Sequence, residues 1–185
     1  MERVARRSLP DEELALAIGS AIAGLIATQG RAIVLLDGSP LLTVVYHHLS
    51  QYPLDWTRVI GIQLRERTGP EGLGQRLLID WLVSRIAMAE FHGLRGAASN
   101  PAAVCANHGA LLQRRPPDLA LVALEEGGYP LRKRETGGLV CHQPPWIGFC
   151  LETLRQLPCC LLAGCSQEIE SLAPLEETVF TFPLL

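Results

Sequence analysis

The chain has 185 residues, 48% hydrophobic and 19% charged, which is material for one packed core and excludes wholesale disorder. A net charge of −3 at pH 7 argues against a nucleic-acid partner held through phosphate contacts. Aromatic residues make up only 5%, so the core falls to Leu, Val, Ile and Ala.

Arg3, Arg6 and Arg7 precede an apolar stretch, but Asp11, Glu12 and Glu13 stand between them. The stretch is too short and too rich in Ala and Gly to cross a bilayer. The expectation is a cytoplasmic protein with no membrane partner and a flexible N-terminus over residues 1–9. Asp11–Gln29 then reads as an amphipathic helix, with Leu14, Ile18, Ile22, Leu25 and Ile26 at helical spacing and Gly30 as its C-cap. Ala32–Leu36 (AIVLL) is a buried strand, Asp37-Gly38-Ser39-Pro40 a tight turn, and 41–50 a helix. RVIGIQL at 58–64 is a second strand. A helix is predicted over 71–89, with Leu73, Leu77, Trp81 and Ile86 on one face, and a short strand over 91–94.

Asn100 and Pro101 are a good N-cap and first residue for a helix running to about Gln113. DLALVAL at 118–124 is the clearest central strand. A polar, glycine-containing loop is expected over 125–143. Strands at 146–149, 159–163 and 178–182 and short helices at 151–157 and 166–172 complete the chain. Alternating strands and helices, with apolar strands, point to α/β: a three-layer Rossmann-like fold with a mostly parallel sheet. In such sheets ligands sit at the carboxyl ends of strands, here the segments after Leu36, Leu64, Leu124 and Ala163.

Six cysteines (Cys105, Cys141, Cys150, Cys159, Cys160, Cys165) include no C-x-x-C pair. Cys105 with His108, and Cys141 with His142, fit no standard zinc module, so no metal and no cofactor are expected. Cys150, Cys159 and Cys160 read as small buried hydrophobes, with a redox role for the vicinal pair as the rival reading. His47 and His48 are expected at a helix surface, His92 as a packing or hydrogen-bonded residue at a strand start, and His108 as an ordinary helix residue.

Five segments carry a resemblance in order: AIVLLDGSP (32–40), DWTRVIGIQLRER (55–67), FHGLRG (91–96) with NPAAVCANHGALL (100–112), PDLALVALEEGGY (117–129) and CCLLAGCSQ (159–167). Together they resemble the 6-phosphogluconolactonase family, related to the glucosamine-6-phosphate deaminases, from about Leu9 onward. That resemblance implies one domain over 1–185 and a sugar-phosphate pocket built from Asp37, Gly38, Ser39, Glu66, Arg67, Gly128 and Tyr129.

The departures from the family pattern fall on the chemistry. Asp37 stands in the small-residue phosphate loop, where backbone N–H groups would cradle an anion. Arg65 replaces the acid of the family's Asp-Glu-Arg, while Glu66 and Arg67 match it. Gly127 and Tyr129 stand where the family has Asp and His, and Gln167 where it has a phosphate-binding Lys. Arg67 can hold an anion bidentately, or pair with Glu66, Glu71 or Asp37; an Asp37–Arg67 pair would fill an abandoned phosphate site. Glu125 and Glu126 read as solvated loop acids, and Arg132-Lys133-Arg134 as a solvated run able to meet an acidic partner.

Three functions follow as expectations. The first is a non-catalytic relative with a vestigial pocket for a sugar phosphate or other small anion, or for a protein partner. The second is a diverged lactonase or sugar-phosphate isomerase using Glu66, Glu126 or Tyr129. The third is a subunit of an assembly or homo-oligomer.

Overall fold

An uninterrupted apolar strand makes sense only where both faces of a sheet are covered. In the computed structural model, Ala32–Leu36 and Leu119–Leu124 are buried at every position. The structure describes residues 10–69, 72–94, 100–124, 130–131, 140–154, 157, 160–164 and 179–183. In chain order the elements are α1 (Asp11–Gln29), β1 (Ala32–Leu36), α2 (Thr43–Ser50), β2 (Val59–Gln63), β3 (Arg65–Arg67), α3 (Gly74–Trp81), β4 (Glu90–His92), α4 (Pro101–Arg114), β5 (Leu119–Leu124), β6 (Val140–Gln143), β7 (Trp146–Phe149), α5 (Leu151–Leu154), β8 (Cys160–Gly164) and β9 (Val179–Pro183).

Six strands form one sheet of order β4-β2-β1-β5-β8-β9, parallel throughout. The three-layer reading and its four central parallel strands are borne out. Strand alternation sends successive side chains to opposite faces. Val34, Leu36, Val59, Leu119 and Leu121 pack with Leu14, Ile18 and Ile22 of α1, Val45, Tyr46 and Leu49 of α2, and Leu78 of α3. Ile33, Leu35, Ile60, Ile62, Ala120 and Val122 pack on the other face with Leu112 of α4, Val140, Phe149 and Leu154. A small sheet of order β3-β7-β6, antiparallel throughout, closes that second layer.

The local signals held at two helix ends. Gly30 caps α1 in the left-handed conformation (φ 80°), its N–H bonding the Ile26 carbonyl. Asn100 caps α4, its side-chain oxygen accepting from Ala103 N at 3.1 Å.

Two expectations need correction. The helix predicted over 71–89 is only Gly74–Trp81, followed by a 3-10 turn at Val83–Arg85, because Leu82 leaves helical geometry (φ −129°, ψ −66°). Its buried residue is Leu78, with Leu82 just beyond the end, while Leu73 and Trp81 are exposed. The loop expected over 125–143 ends in a strand, β6. Residues 1–9 and the short helix expected over 166–172 lie outside the described residues.

Candidate ligand-binding cleft

The strand order reverses at β1, whose neighbours are β2 on one side and β5 on the other. In parallel α/β sheets the crevice outside the carboxyl ends at such a switch point is the natural ligand site. Asp37 directly follows β1, and Arg65 follows β2 by two residues. Their side chains meet in the crevice: Arg65 Nε donates to Asp37 Oδ1 at 2.9 Å, and the two residues are 2% and 1% exposed.

The ion pair also clasps the neighbouring strand. The β1–β5 ladder ends with Leu36 beside Leu121. Beyond it, Ala123 N donates to Asp37 Oδ2 at 2.9 Å, and Arg65 Nη2 donates to Ala123 O at 3.0 Å. Two side chains thus take over the polar groups of a residue that β1 no longer reaches. Tyr46 of α2 donates its hydroxyl to the Asp37 carbonyl at 2.6 Å. Burial, and then the Asp37 charge, push the Tyr46 phenol well above its ordinary pKa, which keeps it a neutral donor.

The expected Asp37–Arg67 pair is therefore corrected: Asp37 pairs with Arg65. Residues 65 and 67 share one face of β3, separated along the strand by roughly 7 Å. Only the first lies at the end of the large sheet. Opposite Arg65 in the ladder stands Gly148, where an added Cβ would lie 2.8 Å from Arg65 Cβ.

Glu66 points to the other side of β3. Its Oε1 accepts from Arg67 N (2.9 Å) and Gly74 N (3.0 Å), and its Oε2 from Gln75 N (2.6 Å) and Gln63 Nε2 (2.8 Å). Four N–H donors fill the roughly four lone-pair positions of a carboxylate. The negative charge also sits at the N-terminus of α3, where the helix dipole favours it. Gln63, a polar residue in an apolar strand, completes this network by bonding Arg65 O and Leu94 N.

These groups floor a cleft of about 190 Å³. Asp37, Gly38, Ser39, Glu66 and Arg67 all line it, so the structure brings these five expected site residues together. Gly38 approaches so closely that an added Cβ would collide with the Gly74 backbone. Ser39 is buried, and its hydroxyl oxygen accepts from Leu41 N at 3.3 Å to start the following turn. Arg67 is exposed, and its guanidinium lies 5.5 Å from the Trp146 ring centroid; that of Arg65 lies 5.1 Å away. Pro40, Leu73, Leu77 and Trp146 supply apolar walls.

Gly128 and Tyr129 lie outside the described residues, as do Glu125, Glu126, Gly127, Arg132-Lys133-Arg134, Cys159 and Gln167. Arg65, Gln63 and Trp146 were missed as site residues. A signal existed for the first: the sequence gains an acid at 37 and a base at 65, two departures that make sense as one exchange. The histidines are placed away from the cleft. His92 Nε2 meets Glu90 at 3.0 Å, and His47 is within hydrogen-bond distance of Gln51. His108 is buried on α4, where burial lowers its pKa. Cys150 is buried, as expected of a small hydrophobe. No helix among the described residues is long and apolar enough to cross a membrane.

No family model and no curated protein matches the sequence. Solved structures do match. A 6-phosphogluconolactonase from Shewanella baltica superposes with a TM-score of 0.83 at 17% identity, over 100% of this chain and 99% of that one. A 6-phosphogluconolactonase from Thermotoga maritima gives 0.80 at 15% identity, over 98% of each chain. A monomeric glucosamine-6-phosphate deaminase gives 0.75 at 14% identity, over 98% of this chain and 97% of that one. With its parallel sheet and its cleft at the switch point, the chain has the fold that 6-phosphogluconolactonases and this deaminase share.

Proposed function

We propose that this protein is a non-catalytic member of the sugar-phosphate lactonase fold, a single cytoplasmic domain that acts by binding a small anion or a protein partner at this cleft. The observation that carries the reading is the buried Asp37–Arg65 pair, locked onto Ala123. A phosphate loop works by offering free N–H donors to an incoming anion. Here the protein's own carboxylate lies beside the loop, with its charge matched from within. Arg65, a base beside the loop, is thus committed to Asp37 and to the Ala123 carbonyl instead of to a phosphate.

Catalysis would also need a base. Glu66 is saturated by its N–H donors. Gly127 has no side chain, and Tyr129 is a phenol with an ordinary pKa near 10, a poor base at neutral pH. General base catalysis contributes about 10²–10⁴-fold, and loss of phosphate anchoring removes orientation besides. Purified protein is expected to leave 6-phosphogluconolactone to its spontaneous hydrolysis, and 6-phosphogluconate to give no calorimetric isotherm in the micromolar range. The rival reading, an active lactonase or isomerase with altered residues, requires turnover at enzymatic rates that Glu126→Gln abolishes. That result would replace the binding reading.

A further inference from the structure

The cleft is electrostatically balanced, except at its mouth. Among its charged lining residues are two acids, Asp37 and Glu66, and two bases, Arg65 and Arg67. Asp37 and Arg65 neutralise each other, and Glu66 is held by N–H groups. Arg67 is left: exposed, stacked on Trp146, and with no carboxylate in contact among the described residues. The Trp146 ring lies beside the guanidinium, whose fork of N–H donors suits a planar, bidentate acceptor.

The walls beside it are apolar. Leu73 is 55% exposed at the cleft, with Leu77 and Trp146 half-buried beside it. Water is a poor neighbour for such a surface, and an apolar ligand body would displace it. A polyol is a worse fit. The carboxylate of Glu66 is consumed within the protein, so sugar hydroxyls would lose water without gaining matched partners there.

We infer that the cleft takes a small monocarboxylate with an aromatic or branched apolar body, its carboxylate on Arg67 and its body against Leu73, Leu77 and Trp146. This assignment rests on the binding reading above and names its ligand class. A monocarboxylate brings one negative charge to pair with Arg67, whereas a phosphate dianion brings two to a cleft whose two acids and two bases already sum to zero. A ring with one carboxylate also suits about 190 Å³.

The test is calorimetric titration of the intact chain with benzoate, its neutral analogue benzamide, and 6-phosphogluconate. Benzoate is expected to saturate, and benzamide to bind at least about tenfold more weakly, since it lacks the charge-assisted bond. Arg67→Gln should weaken benzoate by about tenfold or more with only a small shift of the unfolding midpoint. Leu73→Asp, another exposed position, should weaken benzoate while leaving benzamide less affected. No benzoate isotherm in the millimolar range, equal binding of benzoate and benzamide, or benzoate binding indifferent to Arg67→Gln overturns the assignment. If those failures come with 6-phosphogluconate silent and no lactone turnover, the ligand class is wrong and the non-catalytic reading stands. Tight 6-phosphogluconate binding with turnover removes both.

Discussion

Arg65 and Arg67 stand on the same face of one short strand, yet the protein treats them in opposite ways. Arg65 is 2% exposed, paired with Asp37 and bonded to the Ala123 carbonyl. Arg67 faces solvent, with a tryptophan ring as its neighbour. Both guanidiniums approach the same Trp146 ring, at 5.1 and 5.5 Å. Among the described residues, what separates them is whether a side-chain carboxylate and a strand carbonyl bond the guanidinium. A buried guanidinium must be paired and hydrogen-bonded to survive desolvation, so the inner arginine is tied to the fold. The outer one keeps its hydration and its freedom to meet a ligand. The inner arginine is committed to the fold, and the outer one stays exposed at the cleft.

The largest expected effect comes from breaking the inner pair. Asp37→Ala should destabilise the protein by about 3–5 kcal/mol in urea unfolding, because it removes the buried ion pair with Arg65 and the acceptor of the Ala123 N–H. Removing both partners, Asp37→Ala with Arg65→Leu, should cost less than the sum of the two single changes. Additive losses would show that the pair is not one unit. Asp37→Gly offers a second readout: inorganic phosphate should raise its unfolding temperature more than that of the parent, since the Asp37 carboxylate no longer pairs with Arg65.

That pair also marks where the sequence was legible. AIVLL, VIGIQ and LALVAL announce themselves as buried strands by composition, and the α/β alternation makes them parallel. β3 could not be read this way. Its sequence, Arg-Glu-Arg, has no apolar face, and what holds it lies far along the chain: Asp37, Ala123 and the ladder to Trp146–Phe149. The start of α3 was hidden for the same reason. Its first N–H groups are capped by the Glu66 carboxylate, from outside the helix, rather than by a local Ser, Thr, Asn or Asp. Asp37, Gly38, Ser39, Glu66 and Arg67, expected from sequence motifs, lie together in the cleft, and Gly128 and Tyr129 fall outside the described residues. The partnership that decides their chemistry, Asp37 with Arg65, depended on which of two arginines the sheet brings into reach.

A smaller loss is expected on the other side of β3. Glu66→Gln keeps the shape but turns one acceptor oxygen into an NH₂ group facing N–H donors. About 2–3 kcal/mol should be lost, with the α3 amides losing protection from hydrogen exchange before the rest of the sheet. Uniform loss of protection would mean that Glu66 holds more than the helix start. Gly38→Ala comes next, at about 1–2 kcal/mol, because the new methyl meets the Gly74 backbone and α3 must shift. If Gly38→Ala is neutral, the close approach of loop and helix is softer than the geometry implies.

The smallest effect on folding should come from the outer arginine, and that is what makes it informative. Arg67→Ala removes an exposed side chain whose described side-chain contact is the cation–π stack on Trp146. Stacks at exposed sites are worth about 0.5–1 kcal/mol. The loss in urea unfolding should stay within that range, several-fold below the loss from Arg65→Ala, which breaks the buried ion pair with Asp37. The two variants differ by two positions on one strand and delete the same side chain, so unequal losses isolate the environment as the cause. Equal losses would mean that Arg67 holds β3 against β7, and its service to a ligand would have to be shared with a structural duty. A large loss from Arg65→Ala beside a near-silent Arg67→Ala would leave Arg67 as the position the fold can spare, which is what a residue kept for binding requires.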